Sequence, residues 1–176
     1  MSGTELKIKV IGDSFLRKKS RKVGRVTAEL ADFLSKMARF MYDSKGIGLA
    51  APQVGLGSRM IVCDIGTGLY KLINPRITGK SGSQVNEEGC LSCPGIYIKV
   101  RRARNIRVEA LDESGKPLKI EARDLLACVI QHEIDHLDGK LIVDYASLLK
   151  KMSIKKRLKE LADEKLPEPN VQHSKL

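Results

Sequence analysis

Between residues 28 and 41, Leu30, Phe33, Leu34, Met37 and Met41 recur at three- and four-residue spacing, the pattern of one buried helical face. Thr27 stands where an N-cap belongs, and the glycines of "DSKGIG" at 43 to 48 predict the end of that helix. The methionines in the stripe read as core packing rather than as a ligand site. From 59 to 121 the pattern shortens to β-like runs, "RMIVCDI", "YKLINPRI", "NIRVEALD" and "PLKIEA", with turn signals such as "DESGK" at 112 to 116 between them. A second helix is predicted over about 123–138, burying Leu126, Ile130, Ile134 and Leu137 and stopping before Gly139. A third is predicted over about 147–164. Residues 1–25 read as an irregular basic arm, and 165–176, with two prolines, as a disordered tail. Helix, antiparallel strands, then helices predicts an α+β single domain over 1–164, with antiparallel sheets around a central helix and a C-terminal helix.

The central helix carries the first chemistry. "QHEIDH" at 131 to 136 sets His132 and His136 four residues apart, so both imidazoles share one helical face, and Glu133 sits beside them. Two imidazoles can bind a metal, and a neighbouring glutamate can act as general base on a water activated there. The third ligand must come from elsewhere, because no histidine follows shortly downstream of His136. Cys90, in "EEGCLSCPG", is the best candidate: two histidines and one thiolate leave a coordination position open for chemistry. Cys93 is the rival, since Cys90, Cys93, His132 and His136 would make a closed, structural Cys₂His₂ site.

Composition narrows the classes. The 176 residues are 42% hydrophobic and 30% charged, and no apolar run is long enough to cross a bilayer. The N-terminus lacks the apolar stretch of a secretory signal and the myristoylation pattern, so a cytoplasmic protein is expected, with no membrane partner. Four unevenly spaced cysteines do not form a disulfide framework. The net charge of +11 favours anionic partners, but no basic run interleaves with aromatics, so sequence-specific nucleic-acid binding is not expected.

"GIGLAAPQ" at 46 to 53 is not a phosphate cradle, because it lacks both the third glycine of a dinucleotide fingerprint and a Gly-Lys-Ser/Thr. Its glycines allow close backbone approach, and Gln53 offers either an amide donor for a developing oxyanion or merely an exposed loop side chain.

Taken in order, "GIGLAAPQ", "EEGCLS" and "QHEIDH" resemble the three signature motifs of the peptide deformylases. The separation of 42 residues between Cys90 and His132 is similar to the bacterial iron-type form. "LINP" at 72–75, "LSCPGIY" at 91–97 and "HLDGKLIVDY" at 136–145 extend the resemblance over about 5–164. It implies metal-dependent hydrolysis of the N-formyl group from the formyl-methionine of nascent polypeptides, releasing formate. Cys90, His132 and His136 would hold one divalent metal, usually Fe²⁺, with Zn²⁺, Ni²⁺ or Co²⁺ also compatible with mixed thiolate and imidazole ligands. Glu133 would carry the proton, and Gln53 with the Leu91 N–H would stabilise the oxyanion. Ile47, Gly48, Val129 and His132 would wall the methionine pocket.

The chain departs from the family pattern at Cys93, usually β-branched there, which points to a buried hydrophobe and raises a disulfide liability with Cys90. It departs again at Tyr97, where some members carry a substrate-contacting arginine; no substrate role is assigned to it. Cys63 and Cys128 read as core, and Asp135 either as orienting a partner or as a solvent-facing ion pair. The helix at 147–164 carries six basic residues and one acidic over 147–161. Its likeness to family helices that dock near the ribosomal exit tunnel implies ribosome binding. The alternatives are an endopeptidase built on the same histidine helix, and a zinc-stabilised RNA-binding module that needs Cys93 on the metal and leaves Glu133 dispensable.

Overall fold

A computed structural model of the chain describes residues 6–163. Helix α1 spans Ala28–Asp43, capped by the Thr27 side chain, which accepts from Leu30 N–H at 3.4 Å. Ser44 caps its end, Lys45, a non-glycine residue, follows at φ 56°, and the Gly46 N–H then returns to Met41 C=O at 2.9 Å. A lysine thus takes the left-handed position expected of a glycine.

Five antiparallel strands form the main sheet, in the order β1 (Gly48–Ala50), β2 (Met60–Cys63), β3 (Tyr70–Ser81), β6 (Asn105–Leu111) and β7 (Pro117–Arg123). A separate hairpin pairs β4 (Gln84–Glu88) with β5 (Ile98–Arg102). Helix α2, Asp124–Leu137, packs across the sheet and reaches β5. Its apolar and small residues bury nearly all round, as in a helix enclosed by a domain rather than lying on its surface. It stops at Leu137, one residue short of the expected end, and Gly139 at φ +74° turns the chain away.

Strand β2 shows why the sheet lies in the middle. Met60 and Val62 pack into the cluster with α1, while Ile61 and Cys63 point to the opposite face, into the cluster with α2. Period-two alternation with both sets apolar is what a strand covered on both faces requires. A third cluster gathers Leu16, Cys93, Ile96, Ile98 and Val100 against Ile154 and Leu161 of α3, Leu148–Asp163. A 3-10 turn, Ile142–Tyr145, leads into α3.

Two expectations need correction. The glycine stretch is not merely a loop, since Gly48–Ala50 pairs with β2 in register Gly48↔Cys63 and a 3-10 turn, Ala51–Val54, follows. The hairpin β4–β5 is a pair of strands that the hydrophobic pattern did not reveal, because "QVNEE" is almost wholly polar. The arm over 6–25 includes a 3-10 turn at Ser14–Arg17 and is tied down by Asn74, whose side chain bonds both the N–H and the C=O of Val23, at 2.9 and 2.8 Å. The expected tail, 165–176, and the last residue of the basic helix lie outside the described residues.

Candidate active site

Helix α2 presents His132, Glu133 and His136 on the side facing β1 and the Gly89–Pro94 turn. Cys93 N–H closes that turn onto Cys90 C=O at 2.9 Å, which aims the Cys90 side chain at the helix. Cys90 Sγ lies 3.2 Å from His136 Nε2, and His136 Nε2 lies 3.2 Å from His132 Nε2. Among the described residues these three form the group whose ligand atoms lie close enough to hold one metal, all within 4.8 Å of one another. Cys93, fully buried, packs instead into the apolar cluster of β5 and α3.

The donor set fits a metal ion. A tetrahedral centre with bonds of about 2.0–2.3 Å separates its ligand atoms by roughly 3.3–3.7 Å, close to the spacings found here. His132 Nδ1 lies 2.9 Å from Glu88 Oε2, which keeps its proton on Nδ1 and leaves the Nε2 lone pair facing Cys90 and His136. Several lone pairs converging on one point repel one another unless a cation lies between them. The Cys93 thiol hydrogen bond and the nearby His136 hold the Cys90 thiol well below its ordinary range despite burial, so the ligating thiolate is favoured.

Glu133 is 4% exposed, and burial raises its carboxyl to about 7 against the opposing pull of His132 and His136. Its Oε2 is buried with no protein hydrogen-bond partner, an arrangement that suits a group whose partner is substrate or water. Gln53 is buried rather than exposed: its Oε1 accepts from Ala50 N–H at 2.8 Å, and its Nε2 points to Ser92 Oγ at 3.1 Å and Cys90 Sγ at 3.6 Å. Its amide orientation is therefore fixed by its partners, with the donor end toward the Cys90 side.

Gln53, Cys90, His132 and Glu133 open onto one cleft of about 550 Å³, which Ile47, Gly48, Leu91 and Val129 also line. Ile47 is 47% exposed at the rim. Tyr97 and Cys128 border the same cleft; Cys128 is buried as expected, at 3% exposure, and its sulfur also accepts the Asn86 amide at 3.0 Å.

Two residues of the site went unnoticed in the sequence. Glu88 buttresses His132, and Arg102, 6% exposed, grips both Glu88 oxygens at 2.8 Å. Burial alone would raise Glu88, but the Arg102 fork and His132 draw it down to about 2, so it stays ionised. Asp135 is no solvent-facing ion pair: it bonds Arg102 and the Tyr145 hydroxyl. The available signal was the pair of glutamates just before Gly89-Cys90. A second was the alternation of β5, in which Ile98, Val100 and Arg102 share the buried face.

Residues 5–152 match the family model described as polypeptide deformylase. The peptide deformylase of Pelotomaculum thermopropionicum is 45% identical over 146 residues, covering 83% of this chain and 94% of the relative. That of Alkalilimnicola ehrlichii is 45% identical over 160 residues, 89% of this chain and 90% of the relative. The crystal structure of a peptide deformylase from Legionella pneumophila superposes with a TM-score of 0.85 at 40% identity, covering 94% of this chain and all of that one. A Synechococcus elongatus peptide deformylase solved in complex with actinonin gives 0.83 at 38% identity, over 89% of this chain and 90% of that one. With an α+β fold, a Cys/His/His group and matches over most of its length, the chain belongs to the polypeptide deformylase family, metal-dependent hydrolases that remove the N-formyl group from nascent peptides.

Proposed function

We propose that Cys90, His132 and His136 hold one divalent metal ion, Fe²⁺ in the cell, and that a formyl-methionyl N-terminus is hydrolysed in the adjoining cleft. The observation that carries this reading is an open three-ligand set beside a cleft, with Glu133 Oε2, which has no protein hydrogen-bond partner, next to it. The preference for iron rests on the family resemblance, since the ligand chemistry also suits zinc, nickel and cobalt.

When bound, the ion supplies Lewis acidity, polarising the formyl carbonyl and acidifying the attacking water. Glu133 accepts the proton as the water oxygen bonds to the formyl carbon. Gln53 Nε2 and the Leu91 N–H donate to the oxygen that becomes negative. Glu133 then returns its proton to the amine nitrogen as the C–N bond breaks, leaving formate and a free methionine N-terminus. Burial raises the Glu133 carboxyl from its ordinary range, which suits a group that takes a proton and then returns it. Ile47, Gly48, Val129 and the His132 ring bound the space for the methionine side chain, and Gly48 can also bond the substrate backbone. The test is formate release from a formyl-Met tripeptide by protein purified without oxygen, with metal counted in the same sample. Turnover with about one metal per chain is expected, and metal without turnover on any formylated peptide would overturn the reading.

We further propose that α3 docks on the ribosome, which places the reaction in the cytoplasm beside its substrate. Among the described residues no helix is long and apolar enough to cross a membrane. Ile154 and Leu161 anchor α3 to the domain, while Leu148, Leu149 and Met152 are 80%, 80% and 73% exposed next to Lys150, Lys151 and Lys155. This offset explains the break in apolar spacing near Ser153, because the first turn presents its apolar residues outward. Reversing Lys150, Lys151 and Lys155 to glutamate is expected to abolish co-sedimentation with ribosomes at physiological salt; unchanged co-sedimentation would refute docking through this face.

A further inference from the structure

We infer that Tyr145 and Asp135 are positioning residues for His132, acting through Arg102 and Glu88. The connection crosses four elements without a gap. The Tyr145 hydroxyl, from the 3-10 turn, donates to Asp135 Oδ2 at 2.7 Å. Arg102 Nη1, from β5, donates to the same oxygen, while its Nε and Nη2 donate to Glu88 Oε1 and Oε2 of β4 at 2.8 Å each. Glu88 Oε2 then receives the His132 Nδ1 proton at 2.9 Å.

The arrangement is more than an ion pair. One buried guanidinium is shared by two carboxylates, so whatever Asp135 draws from Arg102 is withdrawn from Glu88. Tyr145 moderates that competition twice. Its hydroxyl supplies Asp135 Oδ2 with a second donor, and its ring lies over the guanidinium, 5.0 Å from Cζ to the ring centroid, which fixes the plane in which Arg102 can meet Glu88. A bidentate fork works only when both planes coincide. Burial and Asp135 raise the Tyr145 hydroxyl to about 12, so it remains a donor at all physiological pH. Asp135 itself lies one residue before His136 on α2, yet its side chain turns away from the ligand cluster toward Arg102. The tyrosine thus sets how firmly Glu88 holds the imidazole that must meet the metal.

The test is a double-mutant cycle on the holoenzyme loaded with cobalt, read as the rate of metal release to an excess of chelator and as the cobalt absorption bands. Partners of a metal-bound histidine are typically worth about 10–100-fold in metal affinity, so Glu88→Gln is expected to accelerate release within that range. Tyr145→Phe keeps the ring and removes only the hydroxyl; it is expected to accelerate release several-fold and to shift the bands in the direction of Glu88→Gln. Asp135→Asn, which removes the competing charge on Arg102, should release the metal no faster than wild type. In the Glu88→Gln background, Tyr145→Phe should add nothing, because its route to His132 is already cut. Wild-type release by Tyr145→Phe would overturn the inference. So would an equal factor in both backgrounds, which would mark a general loosening of the domain. Should Asp135→Asn not fold, the Tyr145→Phe cycle decides alone.

Discussion

Gly48 lies so close to Glu133 that a methyl group on its Cα would collide with Glu133 Oε1 and come within 2.9 Å of Val129 Cγ1. Strand β1 and helix α2 therefore touch through a glycine at the point where the proposed proton carrier stands. Gly48→Ala should push Glu133 out of line by a substantial fraction of an ångström. Misplacement on that scale costs about 10²-fold in rate, so formate release is expected to fall by about that factor while the metal is retained. Near-wild-type turnover would show that Glu133 need not occupy this position.

Cys93 should prove dispensable to metal binding. It is fully buried among Leu16, Ile96 and Ile98, where valine is close in size and character. Cys93→Val is expected to bind one metal per chain, to keep formate release within the same order of magnitude, and to lose less than about 1.5 kcal/mol of stability in urea titration. Loss of the metal would revive the closed Cys₂His₂ site.

Asn74 stands at φ 54° and bonds both backbone groups of Val23, fastening the N-terminal arm to β3. Alanine there loses two hydrogen bonds at about 1 kcal/mol each and meets the left-handed penalty of about 1 kcal/mol. Asn74→Ala should therefore lose on the order of 2–3 kcal/mol in urea titration. A cost below about 0.5 kcal/mol would mean that the arm contributes little to the fold.

Asp144 predicts a small acid-limb effect. Burial raises its carboxyl, but the Arg17 guanidinium at 2.6 Å and the Leu141 N–H at 2.9 Å outweigh that and hold it below the ordinary 3.8. A depressed carboxyl contributes stability that is fully present above its unfolded value and disappears as pH falls through its folded one. The pair is more than a third exposed, so the solvent-screened contribution is less than about 1 kcal/mol. Thermal melts of Asp144→Asn should show a lower Tm at pH 6, with the gap to wild type closing below pH 4. A gap that persists at low pH would assign the loss to packing.

The elements that depend on local pattern were legible: α1 with its Thr27 cap, α2 with its buried stripe, and four of the seven strands among the described residues. What escaped depends on partners distant in sequence. Strand β4 alternates half-buried and exposed residues with little apolar content, so its pairing with β5 is visible only once the chain is folded. The His132–Glu88 contact spans 44 positions, and nothing in either segment names the other. His132, His136, Glu133 and Cys90 could be found because ligand chemistry restricts residue types and helical spacing restricts distance. Arg102 and Tyr145 carry no such restriction, and were legible only as part of a strand's buried face and of a tail-ward tyrosine.

The most direct test compares Glu133→Gln with wild type in one anaerobic preparation, counting metal and formate release together. The substitution preserves shape and removes the proton carrier. With Cys90, His132 and His136 intact, about one metal per chain should remain, while turnover falls by roughly 10²–10⁴-fold, the range for loss of a general acid–base group. Retention of both metal and turnover would contradict the account, leaving Glu133 as a buried neighbour of the metal with no part in the chemistry.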